Sequence, residues 1–138
     1  MALINDFAEW FKARRTKVEA WYNDGVGKFA FKVTVDGQAF VCAARSSSPS
    51  GGRTSIMKKV AGKAQVNDAL ILLRTPAGTH VFDPVTVLDQ GEVDDPHEDE
   101  RKERGEEWIH VNVNLACDFE AWYDGGASPA RYADVNGF

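Results

Sequence analysis

Between Lys28 and Arg45 two alternating runs are joined by Asp36-Gly37, and an Asp-Gly step in that setting is the strongest short-range signal for a tight β-hairpin. A two-residue loop fixes the register, placing Val33 opposite Phe40, Phe31 opposite Cys42 and Phe29 opposite Ala44. That face is expected to enter the core. The other face carries Lys28, Ala30, Lys32, Thr34, Ala39, Val41, Ala43 and Arg45, small residues with three cations toward the open end. Lys28 directly opposite Arg45 is a like-charge pair, mildly destabilising unless an anion comes between the two. The hairpin therefore favours an acidic partner.

Elements on both sides of the hairpin can be read from periodicity. Asp6 with Glu9 makes a capping-box-like start, Asn23-Asp24-Gly25 a stop, and Ile4, Phe7, Phe11, Val18 and Tyr22 cluster on one helical face between them. Arg14 falls inside that arc, so its guanidinium must pair, snorkel or reach an edge. A second helix is expected from Thr54 to Val66, with Ile56, Met57, Val60, Ala61 and Ala64 on one face and Gly62 as a weak point. Asn67-Asp68 breaks the chain before Ala69 to Arg74, an apolar run suited to a strand buried on both faces. Pro76-Ala77-Gly78 turns into a hairpin partner at Thr79 to Phe82, and Asp83-Pro84 leads into a short segment through Leu88. Trp108 to Leu115 alternates as a half-buried strand, presenting Trp108, His110, Asn112 and Asn114 on its polar side. With 138 residues, 43% of them hydrophobic, the expectation is one α+β domain over 1–126. A sheet of about five strands, antiparallel or mixed, packs on the N-terminal helix and the second helix. Residues 92–107 form an acidic loop and 127–138 a loose tail.

A helix, then this hairpin, then a Ser-rich loop and a second helix resembles the order of elements in the PD-(D/E)XK, or restriction-endonuclease-like, superfamily. In that family the second hairpin strand often carries apolar residues, then E-x-K, then Ser. Here Ala43 stands at the Glu position, Arg45 at the Lys position and Ser46 follows. Ala30 lies opposite Ala43, and Asp36 sits roughly 20 Å away along the strand at about 3.3 Å per residue, so it cannot share a metal there. Glu19 matches a helical Glu of some members, but one carboxylate is a poor Mg²⁺ site. The resemblance implies a nuclease-like core without the metal-dependent cleavage chemistry.

Charge is unevenly placed. Residues 92–107 hold nine acids against three bases, so the formal net charge of −5 leaves the remainder at +1, with nearly all of its bases reached by Arg74. A basic face on the N-terminal half follows as an expectation. The loop Ser46 to Thr54 has the context of a phosphate-binding loop, but Ser47 and Arg53 stand where a Walker motif needs Gly and Lys. What remains is phosphate held by the Gly51-Gly52 backbone, Arg53 and a helix start at Thr54.

Catalytic, metal and cofactor signals are absent from the pattern: His80, His97 and His110 have no ligand spacing, Cys42 and Cys117 no zinc spacing, and no G-x-S-x-G occurs. One disulfide or two buried thiols are open alternatives. Glu19-Ala20-Trp21-Tyr22 recurs as Glu120-Ala121-Trp122-Tyr123, read as two helix ends docking alike or as a shared patch for a protein partner or second copy. The longest apolar run is far short of a membrane span and no cationic-apolar leader opens the chain, so a soluble cytoplasmic protein is expected. Its acid-rich, lysine-poor composition is of the kind found in salt-loving microbes and their mobile elements. The leading expectation is a non-catalytic nuclease-like module that binds DNA or RNA through Lys28, Lys32, Arg45, Arg53, Lys58, Lys59 and Lys63. The alternative is a protein-interaction or assembly module, of a virus or mobile element, using Trp21, Tyr22, Trp122 and Tyr123.

Overall fold

A computed structural model describes residues 3–22, 30–91 and 107–131. Helix α1 (Leu3–Ala13) opens the chain because Phe7, Trp10 and Phe11, at helical spacing, form one buried face. It stops where Arg15 takes a φ of 57° and the Thr16 amide donates to the Phe11 carbonyl, a left-handed terminus of the kind that closes helices. The expected longer helix is thus half strand: Val18–Tyr22 is β1, paired antiparallel with β2 (Phe31–Val35). Val18, Trp21 and Tyr22 fit a helical stripe, but β-branched and aromatic residues fit a strand as well, and sheet pairing decides. Arg14 pairs with Glu120 Oε1 at 2.8 Å and lies over the Trp10 ring, at the protein's edge as its position required.

The hairpin forms in the expected register. β2 pairs with β3 (Gln38–Ala44), with Val33 opposite Phe40 and Phe31 opposite Cys42. Asp36 and Gly37 have φ of 50° and 77°, the left-handed pair that a two-residue hairpin turn requires. Glu19, on β1 rather than on a helix, accepts from the Gly37 amide through Oε2. Phe29 and Lys28 lie outside the described residues.

β5 (Leu70–Thr75) runs parallel to β3, and β6 (Gly78–Phe82) returns beside it. β8 (Cys117–Asp118) completes a mixed six-stranded sheet in the order β1-β2-β3-β5-β6-β8. The crossover between β3 and β5 holds β4 (Arg53–Met57) and α2 (Lys58–Val66), so the expected helix from Thr54 is a strand for its first residues. Thr54 and Ile56 are β-branched, and β4 pairs with β7 (Trp108–Asn112) as a separate two-stranded ribbon. β7 is shorter than its alternation suggested, because Val113–Leu115 winds into a 3₁₀ turn capped by the Asn112 side chain. The segment after Asp83 is helix α3 (Pro84–Gln90), with Asp83 Oδ2 accepting from the Thr86 amide and Pro84 at the first turn. The chain closes on α4 (Phe119–Tyr123).

Both faces of the sheet are buried. Phe31, Val33, Val35, Phe40, Cys42, Leu72 and Val81 pack with Phe7, Trp10, Phe11 and Phe119. On the opposite face, Val41, Ala43, Ile71, Leu73 and Phe82 lie under Val60, Ala61 and Ala64 of α2, Val87 of α3 and the inner side of the ribbon. The hairpin face of small residues, expected to carry cations toward its open end, is therefore covered at its centre. The acidic loop, apart from Glu107, and residues 132–138 lie outside the described residues. Pro129 is buried and the Ala130 amide donates to the Leu115 carbonyl, so the C-terminal segment is held at least to that point.

Two glycines give opposite predictions. Gly62 sits inside α2 with open space around its missing side chain, so Gly62→Ala should stabilise the fold by about 1 kcal/mol. At Gly91 a Cβ would collide with the Ile109 side chain and the Val87 carbonyl, so Gly91→Ala should destabilise by about 1–3 kcal/mol. Urea midpoints check both. A third expectation concerns acid: burial, partly offset by the Asp118 carboxylate, pushes the His80 imidazole below its ordinary 6.5. Protons then bind the unfolded chain preferentially, so the stability His80 contributes is present above about pH 6.5 and lost as pH falls through the depressed folded value. Melting temperature should drop from about pH 7 to pH 5, and less in His80→Gln.

Candidate functional site: a basic, serine-rich cleft

The site is built where β3 ends. The Arg45 amide extends the parallel ladder by donating to the Arg74 carbonyl at 2.8 Å, and the Arg45 guanidinium lies 4.5 Å from the centroid of the Trp108 ring. The following loop closes on itself: the Ser50 amide donates to the Arg53 carbonyl and the Arg53 amide to the Ser50 carbonyl, at 2.9 and 3.1 Å. Gly51 and Gly52, with φ of 61° and 76°, make the tight turn between them. The Gly52 carbonyl accepts from the Val113 amide, which ties this turn to the end of β7. A hydrogen-bonded turn thus stands where the sequence pattern suggested a phosphate loop before a helix. No helix begins at Thr54, so no helix terminus contributes there.

Alternation on the ribbon sorts its side chains. Thr54, Ile56, Ile109 and Val111 are buried on its inner side. Registered across the strands, Arg53 faces Asn112 and Ser55 faces His110, and the Ser55 hydroxyl lies 2.9 Å from His110 Nδ1. Between this ribbon and the loop lies a cleft of about 390 Å³ lined by Arg45, Ser47, Ser48, Ser50, Arg53, Thr54, Ser55 and His110. Its chemistry is uniform in sense. Two guanidiniums, an imidazole and several hydroxyls can all donate to an oxyanion, and none of the described lining residues is acidic.

Of the seven cations expected to act together, the cleft collects Arg45 and Arg53. Lys58 lies 3.4 Å from Glu107 Oε2 in an ion pair, and its amide donates to the Glu107 carbonyl. Lys32 donates to Asn67 Oδ1 at 3.3 Å and sits over the Tyr22 ring. Lys59 and Lys63 stand on α2, away from the cleft lining. Lys28 is outside the described residues. Ser55, Trp108 and His110 also belong to the site, and for the last two the outward face of the alternating run from Trp108 is the sequence signal.

Ala43 is buried in the apolar layer, and among the described residues no cluster of three His, Cys, Asp or Glu occurs. Both thiols are free, with Cys42 in the core and Cys117 three strands across the sheet. That is about 14 Å at the usual strand spacing, too far for a disulfide. Burial pushes the Cys42 thiol well up and raises Cys117, so neither is an activated nucleophile.

A second cleft, on the α1 side, mixes Arg14 and Arg74 with Asp118 and Glu120, and the Arg14–Glu120 pair occupies its rim. The duplicated Glu-Ala-Trp-Tyr segments do not dock alike. Trp21 and Tyr22 are on edge strand β1, 40% and 43% exposed, whereas Trp122 meets Phe40 edge-on at 4.8 Å and Tyr123 stacks on Phe119. Among the described residues no helix is long and apolar enough to cross a membrane. No protein-family model matches this chain, and no match to it was found among curated proteins.

Proposed function

We propose that this protein binds the phosphate backbone of nucleic acid at the Arg45–Arg53 cleft, as a nuclease-like module without metal-dependent cleavage. The observation that carries it is the meeting of two guanidiniums, an imidazole and several hydroxyls in one concavity. Arginine's planar fork suits phosphate oxygens, and phosphate contacts supply most sequence-independent affinity. A second support is the order of helix α1, the β2–β3 hairpin, the serine-rich loop and, after the intervening strand β4, helix α2.

Exposure of Trp21 and Tyr22 on an edge strand favours a second reading, in which β1 receives a protein partner or another copy of this chain. Sedimentation of the wild type and of a Trp21→Ala, Tyr22→Ala variant separates the two. A concentration-dependent dimer lost in that variant, with no nucleic-acid binding, supports assembly.

For the first reading, anisotropy of a labelled oligonucleotide should show affinity falling steeply with salt. Arg45→Ala and Arg53→Ala should each weaken binding and lower the salt slope by about 1. Lys59→Ala with Lys63→Ala should change little. Binding absent at low salt, or unaltered in the arginine variants, contradicts it.

A further inference from the structure

Resting on the phosphate-binding reading above, we infer that the cleft selects single-stranded nucleic acid, seating one unstacked base beside the phosphate it holds. Two features of the cleft wall point there. Arg45 lies over the Trp108 ring at 4.5 Å, which sets a guanidinium and an aromatic ring side by side in the cleft wall. Bases stack on guanidinium planes as readily as on aromatic rings, and every base has a face to offer.

The second feature is an apolar hollow of about 50 Å³ that shares Arg45 and Ser55 with the polar cleft. Ala43, Ile56, Met57, Val60 and Leu73 line it and Trp108 walls it. Cavities that enclose a whole benzene ring are about 150 Å³, so this one admits the edge or methyl group of a base whose ring stays outside. Bare phosphate has no use for such a surface. It exists because Ala43 is small: a longer side chain at that position on β3 would fill it.

A base in a duplex is stacked on both faces and cannot reach a concave site together with its own phosphate. An unpaired nucleotide can do so, with its base on the Arg45–Trp108 pair and its phosphate toward Arg53 and His110. The polar and apolar walls adjoin through shared residues, so a single nucleotide spans both.

The full chain is to be tested in competition against three probes at equal phosphate concentration: a short oligothymidylate, the same strand annealed to its complement, and inorganic polyphosphate. The single strand should bind about tenfold or more tightly than the other two. Trp108→Ala should erase that advantage, Trp108→Phe should retain most of it, and Ala43→Leu should reduce it while leaving the salt dependence in place. Should Trp108→Ala not fold, Trp108→Phe and Ala43→Leu decide alone. Equal affinity for all three probes with salt dependence intact overturns the base subsite and spares the phosphate cleft. No binding to any probe overturns the phosphate-binding reading, and this inference with it.

Discussion

The parallel ladder between β3 and β5 is the constraint from which the rest of the structure follows. Its side chains alternate between two apolar faces, Phe40, Cys42 and Leu72 on one and Val41, Ala43, Ile71 and Leu73 on the other. Neither face can be left in water, so the sheet needs a cover on each side. The aromatic face of α1, joined by Phe119, supplies one. The other is assembled from α2, α3 and the β4–β7 ribbon.

Parallel strands also cannot be joined by a tight turn; the chain must cross back over a dozen residues or more. That crossover is where β4, α2 and the Arg45 to Arg53 loop lie, and it leaves β3 at its carboxyl end. Open sheets commonly receive ligands in that place, because the chain departs there and leaves a crevice. The cleft is thus a by-product of the parallel pairing, with arginines at both ends of its bounding loop.

Local chemistry decided what could be read from the sequence. Asp36-Gly37 set the hairpin register through conformations available to few residues, and Asn67-Asp68 and Asp83-Pro84 marked boundaries by equally local means. Where two structures satisfy the same pattern, the reading failed. Glu-Ala-Trp-Tyr is a strand at 19–22 and a helix at 120–123, so its fold is set by its surroundings: pairing with β2 in one case, the Asp118 cap in the other. Residues 54–57 likewise suit a helical face until β7, some fifty positions later in the chain, provides a strand to pair with. Half of the site was legible on the same terms. Arg45 and Arg53 bound one loop and are visible in sequence; the alternation from Trp108 marks Trp108 and His110 as outward-facing, but what brings them and Ser55 to the arginines is the long-range β4–β7 register, which no local pattern encodes.

The most direct measurement of the central claim is an amide chemical-shift map of the isotope-labelled protein titrated with inorganic phosphate. If Arg45 and Arg53 form one anion site, saturable shifts concentrate on Arg45, the 47–53 loop, Ser55 and His110, with α2 and β1 nearly unchanged. Shifts spread over Lys59 and Lys63 or gathered at Trp21 and Tyr22, with the cleft silent, would contradict it.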